Sequence, residues 1–172
     1  MESIKEKLTQ QDGILSKPIV PAMVVGTHAQ LASGAAYMSR GPSNNKGVLR
    51  YSEMLLSSYD GAEIVLEWEF PETRKLATIS HPTILILHGI NNSSKYGYIK
   101  NLQRTMTHRG WNAVAMNFRG CNGVLKTPRS YTAAYTGDLR SAVNQLTGRM
   151  KDNQVPLFLV GNSLGANLIT KY

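Results

Sequence analysis

Pro156-Leu157-Phe158-Leu159-Val160-Gly161-Asn162-Ser163-Leu164-Gly165 decides how the rest of this chain is read. Four apolar residues run into Gly-Asn-Ser-Leu-Gly, and Ala166-Asn167-Leu168-Ile169 then resumes a pattern compatible with a helix. Strand, sharp turn and helix follow one another, with a serine at the apex. A G-x-S-x-G turn of this kind holds the hydroxyl out at the top of a sheet, where it can serve as a nucleophile. Side chains two residues to either side of the apex would collide in so tight a bend, and both places hold glycine. Three fixed positions alone recur by chance in roughly 5% of chains of this length. The apolar strand before the turn and the helical pattern after it make Ser163 the candidate nucleophile.

Outward from this elbow, the preceding chain alternates two periodicities. Leu139, Val143, Leu146 and Met150 recur at heptad spacing and predict a helix that leads through Asp152-Asn153 into the strand before Ser163. Trp111 to Phe118 reads as another strand. Ile99, Leu102 and Met106 share one helical face, with Gly110 where a helix end favours glycine. Pro82 to Leu87 is a continuous apolar run rich in Ile and Leu, which suits a buried parallel strand. It ends in His88-Gly89-Ile90 and the polar loop Asn91-Asn92-Ser93-Ser94. Strand, helix, strand, helix, strand, helix implies an α/β architecture: a mostly parallel sheet covered by helices on both faces.

Val48 to Ser57 and Ala62 to Phe70 precede that unit and read as an antiparallel hairpin around Tyr59-Asp60-Gly61. Ile64, Leu66 and Trp68 alternate with Val65, Glu67 and Glu69, so one face of the second strand is apolar and the other partly charged. Residues 1–47 carry a short helical signal and then Pro, Gly, Ser and Asn punctuation. They read as an arm, mostly loop. The division is an arm over 1–47 and a folded unit over 48–172.

A length of 172 residues suffices for one domain with a sizeable core. The formal charge of +8 is unevenly placed. From Thr73 onward thirteen Lys or Arg face only Asp138 and Asp152, while Glu53 to Glu72 holds six carboxylates and no base. A basic surface leaves room for contact with an anionic membrane surface, and the plainer reading is a solvated face whose acidic counterpart is missing from this chain. Nucleic acid is disfavoured as a partner: there is no zinc-finger spacing, no RNP-type aromatic motif and no dense Lys/Arg tract. Cys121 is the single cysteine, so a reducing compartment is the simpler expectation. Met1 to Lys7 mixes both charges without an apolar run, and Pro18 to Tyr37 is interrupted by prolines and polar residues. Neither reads as a signal peptide or a membrane span, which favours a soluble or peripheral, cytoplasmic protein. His81 and His108 have no metal-ligand spacing, and no glycine loop follows the Rossmann or Walker pattern, so neither a metal nor another cofactor is expected.

From about Leu49 onward the chain resembles the α/β-hydrolase superfamily, most closely the AB hydrolase 4 family. The residues that carry the resemblance are Asp60-Gly61, Pro82 to Gly89, Tyr98, Gly110-Trp111 and Asn117-Phe118-Arg119-Gly120-Cys121. Pro128-Arg129-Ser130-Tyr131, Asp138-Leu139-Arg140 and Gly161 to Asn167 complete the set, in the family's order and roughly its spacing. His28-Ala29-Gln30 is similar to a His-Leu-Gln segment near the family's N-terminus. The resemblance implies a serine carboxylic-ester hydrolase acting on acylglycerols, phospholipids or short acyl esters, with Ser163 as nucleophile. It implies an oxyanion hole made by the backbone N–H of Leu164 and that of Ile90, in the loop after His88-Gly89. His88 then shapes that loop and is not the base; Arg119 and Asp138 read as a structural ion pair bracing the loop beneath the elbow, with substrate anchors as the alternative. Where the family usually shows glycine, this chain has Asn91-Asn92; asparagine tolerates left-handed geometry.

One part of the pattern is missing. The family order is Ser, then Asp or Glu, then His, yet Leu164 to Tyr172 contains no carboxylate side chain and no histidine. The four histidines all precede Ser163. The expectation is therefore a hydrolase fold truncated after the elbow helix: a fragment of a working enzyme, inactive by itself for want of triad acid and base. The alternative is a non-catalytic hydrolase-like module that binds a lipid or a partner.

Overall fold

In a computed structural model of the chain, the structure describes residues 48–71, 78–152 and 154–172. The arm expected over 1–47, including His28, lies outside the described residues. The sheet contains β1 (Val48–Leu56), β2 (Glu63–Pro71), β3 (Thr83–Leu87), β4 (Asn112–Asn117) and β5 (Leu157–Gly161). Helices α1 (Gly97–His108), α2 (Gly137–Thr147) and α3 (Leu164–Lys171) alternate with its later strands. The strand order is β1-β2-β4-β3-β5. β4, β3 and β5 run parallel, and β2 joins β4 antiparallel, so the hairpin extends the parallel core into an open mixed sheet.

The continuous apolar run of β3 is explained by its central place. All five of its residues are buried between β4 and β5, with helices on both faces. Ile84 and Ile86 face the layer made with Ile99 of α1, against which Leu102 and Met106 also pack. Leu85 and Leu87 face the other way, into a larger core with Leu139, Ala142 and Leu146 of α2 and Leu168 of α3. Ile64, Leu66 and Trp68 of β2 line that same core and are 0–1% exposed. Each such side chain contributes about 1.5–3 kcal/mol of burial. α1 ends where glycine allows it: Gly110 has φ +81, and the N–H groups of Gly110 and Trp111 donate to Thr107 and Met106 carbonyls.

Two expectations change. The helix expected to reach Met150 stops at Thr147, and Met150 instead forms a parallel bridge with Ile79. It still packs against the core, so the heptad spacing reflects burial on both sides of a helix end. The basic half is also not simply a solvated face without an acidic counterpart, because part of it meets the partly charged face of β2. α1 covers that face: Gln103 donates to the Glu67 carbonyl at 2.8 Å, and Arg104 meets the buried Glu69 at 2.6 Å. Part of the basic half thus finds its acidic counterpart in the hairpin. Glu53 accepts from Arg149 and from the Trp68 indole, Glu63 pairs with Lys126, and Asp60 pairs with Arg119.

Candidate active site

β5 delivers the chain to the elbow. One residue past the strand, the N–H of Asn162 still donates to the Leu87 carbonyl at 3.0 Å, so the apex is pinned to the end of β3. Ser163 then adopts φ +52, ψ −114, and the N–H of Gly165 donates back to the Asn162 carbonyl at 2.9 Å. A non-glycine residue held at such a φ carries about 1–3 kcal/mol of strain. Helix α3 starts at once, and the exposed serine side chain does not cap it. Both flanking glycines are required by close approach. A Cβ on Gly161 would lie 2.3 Å from the Ala166 nitrogen, and one on Gly165 would lie 2.5 Å from the Leu87 oxygen. Those are main-chain atoms, which no rotamer change can move away.

The loop after β3 packs against this apex. A Cβ built on Gly89 would stand 3.5 Å from the Cβ of Ser163. His88 is 1% exposed, and both its ring nitrogens face main chain. Nε2 accepts from the Phe118 N–H at 3.2 Å, which leaves Nδ1 to carry the proton and donate to the Gly89 carbonyl at 2.7 Å. The ring is held neutral, since burial pushes its pKa below the ordinary histidine value. It braces the loop. Asn91 has φ +54, so the left-handed place where a glycine is usual is taken by an asparagine.

The other two described histidines lie far from Ser163. His81 precedes β3 and His108 ends α1, at the N-terminal ends of the parallel strands, whereas Ser163 sits at their C-terminal ends. A five-residue strand separates the two ends by about 16 Å. Among the described residues, Asp60 and Asp138 on the serine's side are occupied. Arg119, 1% exposed, donates through Nε and Nη2 to both oxygens of Asp138, and through Nη1 and Nη2 to both oxygens of Asp60. Hydrogen bonds from Arg119 hold the Asp60 carboxyl below the usual carboxylate range. The guanidinium, bonded first by Asp138, is raised further above its already high value. Asp60 is the member of this knot that reads from the sequence as a turn residue and a family landmark, without an ion-pair partner. Nothing local marks it, because its partner is 59 residues away. Cys121 is half-buried, and burial raises its thiol. Among the described residues no group of three or more His, Cys, Asp or Glu is placed to hold a metal ion.

A family model described as serine aminopeptidase, S33, in the hydrolase 4 group, matches residues 79–172, more than half of the chain. The chain belongs to this hydrolase family, within the α/β-hydrolase superfamily. Among curated relatives, the chain is 30% identical over 131 residues to phospholipase ABHD3 of Homo sapiens, covering 74% of this chain and 32% of that protein. It is 32% identical over 93 residues to the monoacylglycerol lipase of Saccharomyces cerevisiae, covering 53% of this chain and 20% of that one. Among solved structures, a cold-adapted esterase from an Arctic intertidal metagenomic library superposes with a TM-score of 0.57 at 20% identity, over 78% of this chain and 59% of that one. That likeness shows the fold. The chain spans about a third of the length of the first curated relatives it matches. No helix among the described residues is long and apolar enough to cross a membrane.

Proposed function

We propose that this protein is a serine carboxylic-ester hydrolase in which Ser163 attacks an acyl ester. The backbone N–H groups of Leu164 and Ile90 would stabilise the oxyanion, and an acylglycerol, phospholipid or short-chain acyl ester would be the substrate. The observation that carries the reading is the elbow itself. An exposed serine is held at φ +52 between two glycines that main-chain contact forbids to be anything larger. Strain of that kind is kept where chemistry uses it. The relatives named a phospholipase and a monoacylglycerol lipase support an ester or lipid substrate, and such substrates would bring the protein to a membrane surface. A serine hydroxyl needs a base, and the base needs an orienting acid. Among the described residues His88 is committed to main chain and Asp60 and Asp138 to Arg119. This reading takes the base and acid from other residues, beyond this 172-residue stretch. Those same commitments favour the second reading, a non-catalytic module that binds a lipid or a partner.

The full-length protein carrying the base and acid is expected to be labelled by a fluorophosphonate probe, with labelling and esterase activity both lost in Ser163→Ala. Undiminished labelling of that variant would rule out the nucleophile. Residues 1–172 alone are expected to hydrolyse p-nitrophenyl butyrate weakly, with at most the residual of about 10³–10⁴ over water that survives loss of triad members. Ordinary esterase turnover from this stretch would place the base inside it.

A further inference from the structure

The loop from Gly89 to Asn92 offers four consecutive backbone N–H groups beside Ser163, and three of them are already spoken for. The Gly89 N–H donates to the Tyr98 hydroxyl at 3.2 Å. The Asn91 N–H donates to the Tyr131 hydroxyl at 3.2 Å. The Asn92 N–H closes the turn onto the Gly89 carbonyl at 3.3 Å. Only the N–H of Ile90 has no partner among the described residues. We propose that Tyr98 and Tyr131 are positioning residues. From opposite sides they absorb the neighbouring donors and fix the turn, so that the single N–H left for a developing oxyanion is that of Ile90. The proposal rests on Ser163 being the nucleophile.

Each tyrosine is anchored twice, on the loop and in a core layer. The Tyr98 hydroxyl also accepts from the Asn92 side-chain amide at 2.9 Å, and its ring packs in the layer between α1 and the sheet. The Tyr131 hydroxyl donates to Asn91 Oδ1 at 3.0 Å while accepting the N–H of the same residue, a reciprocal pair across 40 residues. Its ring stacks on Phe118 at 5.4 Å, and Phe118 lies against His88 at 4.4 Å. The loop is thereby clamped between the two layers of the core. The clamp holds Asn91 at φ +54, the third position of a turn closed from Gly89 to Asn92. That is the type II arrangement, in which a non-glycine at the third position is disfavoured unless held. Preorganised donors stabilise an oxyanion because nothing has to reorient as charge develops. A loop free to offer the Gly89 or Asn91 N–H would lose that advantage.

The type II turn also supplies the test, because its second position, Ile90, accepts proline. In the full-length protein, Ile90→Pro removes the one N–H and keeps the turn. It is expected to lower kcat for p-nitrophenyl butyrate about 10²–10³-fold, with KM and the thermal midpoint little changed. Tyr131→Phe and Tyr98→Phe keep their rings and are each expected to lower kcat about tenfold, because they displace the donor and do not delete it. In the Ile90→Pro background the same two changes are expected to cost less than about twofold, since they act through that N–H. Hydrogen exchange at the Asn91 amide is expected to quicken in Tyr131→Phe whether or not the protein turns over substrate. Two results would overturn the clamp: tyrosine variants with wild-type kcat and unchanged Asn91 exchange, or tyrosine effects fully additive with Ile90→Pro. Undiminished fluorophosphonate labelling of Ser163→Ala would instead sink the nucleophile reading, and it would do so without involving either tyrosine.

Discussion

The elbow after β5 and the Arg119 knot after β4 stand at the same end of the sheet and are built on opposite principles. At the elbow, main-chain geometry is forced: Ser163 sits at φ +52, and its side chain is exposed. At the knot every valence is filled: Arg119 is 1% exposed and spends its donors on two carboxylates and the Arg129 carbonyl. A saturated group can brace but cannot react, and a strained, unsatisfied one can react but weakens the fold. The difference separates a structural charge cluster from a candidate site even though both are polar and adjacent to the same strand ends. By the same criterion His88, with both nitrogens engaged, belongs with the knot.

Removing the centre of the knot tests the contrast hardest. Arg119→Met strips the buried Asp138 of its cation and leaves Asp60 with Arg129 alone nearby, and the loss expected from the unpaired Asp138 is about 3–5 kcal/mol in a urea denaturation. A cost below about 1 kcal/mol would mean that the carboxylates find other partners and that the knot is dispensable.

At the elbow, Gly165→Ala is expected to cost about 3 kcal/mol by the same measurement, because the new methyl would meet the Leu87 and His88 carbonyl oxygens at 2.5 and 2.8 Å. Gly61→Ala has open space around its Cβ and pays only for its positive φ, so it should be the milder change. Equal costs would mean that close approach is not what demands glycine at the elbow.

Ser163→Gly is expected to move stability the other way. It releases the φ +52 strain and should raise the unfolding free energy by about 1 kcal/mol while abolishing fluorophosphonate labelling of the full-length protein. A destabilised glycine variant would show that the serine is comfortable where it sits.

The smallest effect expected is a pH dependence from His88. Its folded pKa lies below the unfolded value of 6.5 because of burial. The unfolded chain therefore binds the proton first, and the contribution is present in full above 6.5. It is lost as pH falls from there through the folded value. His88→Gln should flatten that part of the stability profile, and an unchanged slope between pH 7 and 5 would assign it to other groups.

How much was legible beforehand follows the same division. The strands, the two-faced sheet and the elbow can be read because each is written in neighbouring residues: an Ile/Leu run for β3, alternation in β2, Gly-x-Ser-x-Gly at the turn. The end of α2 was overrun by three residues, since burial of Met150 through a bridge to Ile79 imitates helical periodicity. Tyr98 and Tyr131 stood out in the sequence only as landmarks without a role.

Local stereochemistry is therefore what the sequence determined by itself. Glycine and serine at fixed spacing dictate where the chain can bend, and apolar periodicity dictates which faces are buried. The tertiary structure decided the partners: Asp60 with Arg119, Glu53 with Arg149, Tyr131 with Asn91, pairs separated by 59, 96 and 40 residues. Hydrogen bonds and ion pairs act over about 3 Å, and distance along the chain carries no information at that scale until strand register and helix packing have set which side chains meet.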